Sequence, residues 1–193
     1  MSSLSYSAIR RSSIYCLVAA ALLTFSIATV AQANGERHRK RSPNGKNYGR
    51  NGDCVAPAAN QAYRDQCGGC HFVYQPGLLP ARSWQKIMHG LKDHFGEDVS
   101  ISLEDKKAIL GYLAANAADS ANSKVSRKIM KSLSGQTPIR VSQVPYIIHK
   151  HQDDDIPTDA FKRKSVGSLG NCIACHTRAE QGDYDDDYVR IPE

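Results

Sequence analysis

Two short strings in this chain set cysteine and histidine at a spacing that serves one kind of chemistry. They are Cys67-Gly68-Gly69-Cys70-His71 and Cys172-Ile173-Ala174-Cys175-His176. In a C-x-x-C-H string the two sulfurs can add to the vinyl groups along one porphyrin edge, and the adjacent histidine stands toward the iron. Two intervening residues let a single helical turn present both sulfurs together. A zinc knuckle, a redox dithiol or chance would account for one such string. Two of them behind an export signal predict two covalently attached haems c. Cys67, Cys70, Cys172 and Cys175 are then the thioether residues, and His71 and His176 the proximal iron ligands.

Each iron has a sixth position, filled or open. The candidates are His89, His94, His149, His151, Met88 and Met130, with His38 set apart in a polar arm. Helical periodicity sorts them. A helix from Pro80 to about Phe95 puts Trp84, Ile87, Met88, Leu91 and Phe95 on one stripe, His94 at its edge and His89 nearly opposite. After Pro145, His151 follows Ile147 by four and Ile148 by three, whereas His149 points away. Met88 rivals His94, because it lies on the stripe and thioether ligation is common in small cytochromes. Pairing His71 with His94, and His176 with His151, closes two short loops at modest entropic cost.

The elements that must carry these residues are mostly helical. The stretch from Pro80 is expected to end at Gly96. A second helix starts at Ser102, capped with Asp105 three residues on, and runs to about Ala117. A third spans about Ser123–Leu133, and Pro145 opens a short fourth. No alternating β pattern is evident, so the expected fold is mostly α with long loops wrapped on haem. The acidic run Asp183–Asp187, broken only by Tyr184, lacks the loop glycine and closing glutamate of a calcium site.

Export is read from the first 33 residues. Arg10 and Arg11 precede an apolar stretch from about Ile14 to Val30, and Ala31 and Ala33 form an A-x-A cleavage site. A transmembrane anchor is the competing reading, but the stretch is slightly short and holds Thr24 and Ser26. Residues 34–53, with six basic side chains against two acidic, are expected to be a disordered basic arm. That arm accounts for the net positive charge, so nucleic-acid binding is not expected. Haem halves are expected at 54–122 and 123–193. Once four mature cysteines go to haem, Cys54 remains, as a buried thiol or as an intermolecular disulfide.

With these residues in hand, the chain resembles the bacterial dihaem cytochrome c family. The likeness runs from Tyr63 to Pro192 through Cys67-Gly68-Gly69-Cys70-His71-Phe72-Val73-Tyr74, Leu78-Leu79-Pro80-Ala81-Arg82-Ser83-Trp84, His94-Phe95-Gly96 and Asn171-Cys172-Ile173-Ala174-Cys175-His176. The ending Tyr188-Val189-Arg190-Ile191-Pro192 also fits. The resemblance implies a class I cytochrome c-like N-terminal part and a less regular C-terminal haem part. It implies histidine on both sides of each iron, with His94 and His151 distal. It further implies a periplasmic electron carrier working between a membrane b-type cytochrome and a soluble haem protein, touching the membrane without spanning it after signal cleavage. His149 stands where the family has arginine, and the arm and Cys54 have no family counterpart.

An electron carrier with two low-spin haems is therefore the expectation, rather than an enzyme. A peroxidase-like or thiosulfate-oxidising dihaem enzyme would need one open iron site. The chain is short for the peroxidases, and no acid–base cluster adjoins either motif. A cytochrome subunit fixed in a membrane complex would use the same residues.

Overall fold

Among the described residues, caps, prolines and glycines set the boundaries of five α-helices: α1 (Gln61–Cys67), α2 (Ala81–His89), α3 (Leu103–Ala115), α4 (Lys124–Ser132) and α5 (Pro145–Lys150). The computed structural model describes residues 54–152 and 155–193. The expected signal peptide (1–33), the basic arm (34–53) and Asp153-Asp154 of the acidic turn lie outside the described residues. Among the described residues there is no strand, only three isolated β-bridges, and 3-10 turns and long loops join the helices. No described helix is long and apolar enough to cross a membrane.

Three helices begin on polar caps. The Asn60 side chain accepts from the Tyr63 amide, Ser102 from Asp105 and Ser123 from Ser126, at 2.8, 2.9 and 2.9 Å. Each such cap stabilises its helix by about 1 kcal/mol. Helix α2 is shorter than the periodicity predicts. It stops at Gly90, whose amide donates back to Ile87 and Lys86, and the chain turns through Leu91–Asp93 in a 3-10 geometry. Leu91 is still buried, which is why the apolar spacing in the sequence runs on past the end of the helix. His94 consequently leaves from a turn, followed by Phe95 and Gly96 at φ +60° and +99°.

Residues 75–80 are all buried, yet only 76–78 make a 3-10 turn. A buried irregular backbone must find donors for its carbonyls. The Tyr63 hydroxyl donates to the Tyr74 carbonyl at 2.9 Å, Trp84 Nε1 to Pro76 at 2.8 Å and the Ser126 hydroxyl to Gly77 at 2.8 Å. The Ala118 amide donates to Leu79 at 2.9 Å. Around this segment lies one apolar core, to which Val55, Tyr63, Leu79, Trp84, Met88, Ile109 and Leu113 contribute from one half, and Ile129, Leu133 and Val144 from the other.

The expected halves, 54–122 and 123–193, therefore do not have separate interiors. All described residues belong to one compact unit. A backbone strap closes it: the Val55 amide donates to the Gly182 carbonyl at 2.8 Å, next to the bridge between Cys54 and Asp183. Cys54 is buried there, 6% exposed.

Gly182 has φ +71°, and a Cβ there would stand 2.1 Å from the Val55 carbonyl oxygen. Gly167 has φ +78° with nothing within 4 Å of such a Cβ. Gly182→Ala is expected to lower unfolding stability by about 2–3 kcal/mol, against about 1 kcal/mol for Gly167→Ala, which carries only the conformational cost. Denaturant unfolding of the two variants beside the wild type measures the difference.

Candidate haem sites

The first motif begins where α1 ends. Cys67 is its last residue, and the Gly68 amide closes the helix on Arg64 at 2.9 Å. A Cβ at Gly68 would meet the Arg64 carbonyl at 2.6 Å, so the tight exit toward Cys70 and His71 requires glycine. His71 Nδ1 lies 2.7 Å from the Phe72 carbonyl. A carbonyl only accepts, so Nδ1 carries the proton and Nε2 keeps its lone pair for a metal.

His94 faces it. The two rings are stacked with centres 6.1 Å apart and planes 26° from parallel. His94 is held by paired backbone bonds with Glu97, donating at 2.8 Å and accepting at 3.3 Å. Its ring lies against Phe95, which the Arg140 guanidinium covers at 3.6 Å. Burial, then the nearness of His71 and Arg140, lowers the His94 pKa and favours the neutral form that binds metal.

The second motif opens on a 3-10 turn, Cys172–Ala174, and the His176 amide donates to the Cys172 carbonyl at 2.8 Å. His151 caps the C-terminus of α5, with Nδ1 2.7 Å from the Ile147 carbonyl, again leaving Nε2 available. The His151 and His176 rings are 5.9 Å apart at 73°. They lie in a cavity of about 630 Å³ whose walls include Cys172, Cys175, Phe161 and Tyr184. Burial, then His151, pushes the His176 pKa down to about 4.

These residues fit a haem. Two imidazoles bonded at about 2 Å to opposite sides of one metal stand with their centres about 6 Å apart, as both pairs do. The cysteines fit attachment better than thiolate chemistry, since burial pushes Cys67 and Cys172 up to about 11. Reactive thiols show the opposite shift. Among the described residues no cluster of three or more histidine, cysteine or acidic side chains is arranged for a metal ion.

The other candidates lie elsewhere. Met88 is 2% exposed in the apolar core, and Met130 packs half-buried against it. His89 is exposed, its Nδ1 2.6 Å from the Gln85 carbonyl, and His149 is also exposed. His38 is outside the described residues.

Three residues that the sequence did not single out tie the sites together. Tyr74 stands 5.5 Å from His71 and donates to the Gly170 carbonyl at 2.7 Å, two residues before Cys172. Gln75, 1% exposed, donates to Ala179 at 2.6 Å and accepts from the Tyr184 hydroxyl at 2.5 Å. Tyr184 packs edge-on against His176 at 5.3 Å. His176 Nδ1 is buried without a hydrogen-bond partner, so packing against Tyr184, rather than a hydrogen bond, orients that ring. Only the lone aromatic within the acidic run hinted at Tyr184.

A helical chain in which two C-x-x-C-H motifs each meet a facing histidine has the makings of a two-haem c-type cytochrome. The comparisons agree: the family model for dihaem cytochrome c matches residues 63–184, and the chain belongs to that family. It is similar to a diheme cytochrome c from Rhodobacter sphaeroides at 38% identity and TM-score 0.59, covering 68% of this chain and 99% of that one. A second Rhodobacter sphaeroides structure, described as DHC, is 37% identical with TM-score 0.54, over 66% and 99%. The diheme cytochrome c of Shewanella baltica OS155 is 33% identical with TM-score 0.56, over 69% and 93%. There is no significant match among curated proteins. The protein is an electron-transfer haem protein, and its cofactors are two covalently bound haems c with their irons.

Replacing Gln75 by Leu leaves the Tyr184 hydroxyl and the Ala179 carbonyl without their buried partner. Gln75→Leu is expected to cost about 2 kcal/mol of stability and to shift the reduction potential of one haem while both remain attached. Denaturant unfolding and a redox titration of the variant check the two effects.

Proposed function

We propose that this cytochrome is a periplasmic electron carrier with bis-histidine irons, His71 and His94 holding the first and His176 and His151 the second. Cys67 and Cys70 carry one haem and Cys172 and Cys175 the other. The observation that supports this is the facing of each motif histidine by a second imidazole at about 6 Å, in both sites. Bound haem supplies a one-electron change between ferric and ferrous iron. The chain orients the imidazoles through the Nδ1 bonds of His71 and His151, keeps His94 and His176 neutral by burial, and covers the rings with aromatic side chains. A histidine on each face leaves no iron position for oxygen or peroxide, which favours a carrier over an enzyme. Imidazole pairs also hold the potentials below those of histidine–methionine sites. A membrane b-type cytochrome and a soluble haem protein are the partners that this reading names.

Two experiments test the assignment. Acid-acetone extraction should leave the colour on the protein, and Cys172→Ala with Cys175→Ala should lose half of it. In the oxidised protein, optical and paramagnetic resonance spectra should show low-spin iron only, without the near-infrared band of a methionine bond. His94→Ala should turn one haem high-spin, whereas Met88→Leu should leave both unchanged. A spin change in Met88→Leu would overturn the ligand set of the first site. His151→Ala should act on the other haem alone.

A further inference from the structure

Residues 54–193 carry seventeen basic and seventeen acidic side chains, yet the charges are sorted along the chain. Between residues 120 and 152 there are six basic residues and no acidic one. Four of them, Lys124, Arg127, Lys128 and Lys131, follow at steps of three and four along α4, and all are exposed. They fill an arc of about 100° at the helical spacing, and Val125, Ser126 and Ile129 are buried on the other side.

Such a stripe works against its own helix. Like charges three and four residues apart repel, and Lys124 in the first turn opposes the positive end of the helix dipole. No acidic residue of α4 offsets either effect. The stripe also borders the second haem site: Val125 and Lys128 line the cavity that holds His151 and His176, together with Tyr146, Ile147 and Lys150. Asp155 and Asp186 stand at the same cavity, Asp186 3.9 Å from Lys150.

We propose that the basic stripe of α4 is a docking face for the acidic surface of a redox-partner protein, placing that partner beside the second haem site. This rests on the electron-carrier reading. A partner protein fits better than an anionic membrane, because the wall beside the stripe mixes both signs, Asp155 and Asp186 with Lys128 and Lys150, and a protein surface can set a cation against each carboxylate where a uniformly anionic bilayer cannot. Charged groups around an apolar wall are the anatomy of a protein interface. Residues 93–105 around His94 hold five acidic side chains and no basic one, and Arg140 over Phe95 offsets part of that charge, so the attraction for an acidic partner comes from α4 rather than from the first site.

The test uses flavodoxin, an acidic one-electron protein donor, mixed in its reduced form with the oxidised holoprotein in stopped flow. The second-order rate should fall at least about ten-fold between about 20 mM and about 300 mM salt, as an attractive docking field is screened. Lys124→Glu with Arg127→Glu and Lys131→Glu should cut the low-salt rate at least about ten-fold. Lys86→Glu with Lys92→Glu and Lys107→Glu, the same change in net charge on other exposed residues, should cost less than about three-fold. Equal losses in the two variants, or no salt dependence in the wild type, would overturn the docking face. So would wild-type binding to phosphatidylcholine–phosphatidylglycerol vesicles at 0.1 M salt that the α4 variant alone loses, which would make the stripe a lipid contact. Dithionite separates the underlying reading: if it fails to reduce both haems of the wild type, the carrier itself is in question. If it reduces every variant fully, a failure in the flavodoxin arm falls on the docking face alone.

Discussion

The segment from Tyr74 to Pro80, half-buried at Tyr74 and buried from Gln75 on, forms only a three-residue 3-10 turn, and the molecule is organised around that constraint. A peptide carbonyl removed from water and left without a donor costs as much as a lost hydrogen bond. Donors to this segment come from α1 (Tyr63), α2 (Trp84), α4 (Ser126) and the loop after α3 (Ala118). Those elements are locked in place by serving one piece of backbone. His71 lies three residues before the segment, and Pro80 at its other end is the N-cap of α2. The loop that carries the first haem motif is in this way coupled to the whole interior.

The same segment reaches the second site. Tyr74 and Gln75 send their side chains to Gly170, Ala179 and Tyr184. The two haem environments are thus mechanically continuous, although their motifs are a hundred residues apart. A disturbance at one has a short physical route to the other. The route runs through neutral hydrogen bonds and aromatic edges rather than ion pairs, so ionic strength should alter it little.

Legibility from sequence followed the range of the interaction. The cysteine and histidine strings were legible because attachment depends on neighbours within five residues. The cap at Ser102, the approximate start of α4 near Ser123 and the start of α5 at Pro145 were legible for the same reason. Helix α2 misled: Leu91 is buried from a turn, so its spacing imitates another helical turn beyond Gly90. His94 was thus selected by helical periodicity, yet a 3-10 turn and a positive-φ pair present it. Helix α1 buries only Tyr63 and had no stripe to reveal it. Gln75 and Tyr184 are 109 residues apart in the chain. Nothing local could have joined them.

The strap between Val55 and Gly182 bears on the order of events at synthesis. The chain emerges from its N-terminus, and Val55 acquires this backbone partner only after almost the whole folded unit has followed. Both cysteine pairs lie between the two strapped residues. Until the last loop arrives the unit has no completed seam, and the thiols are on a chain that can still open. A late-closing fold of this kind suits a cofactor that has to be bonded to its polypeptide before the interior shuts.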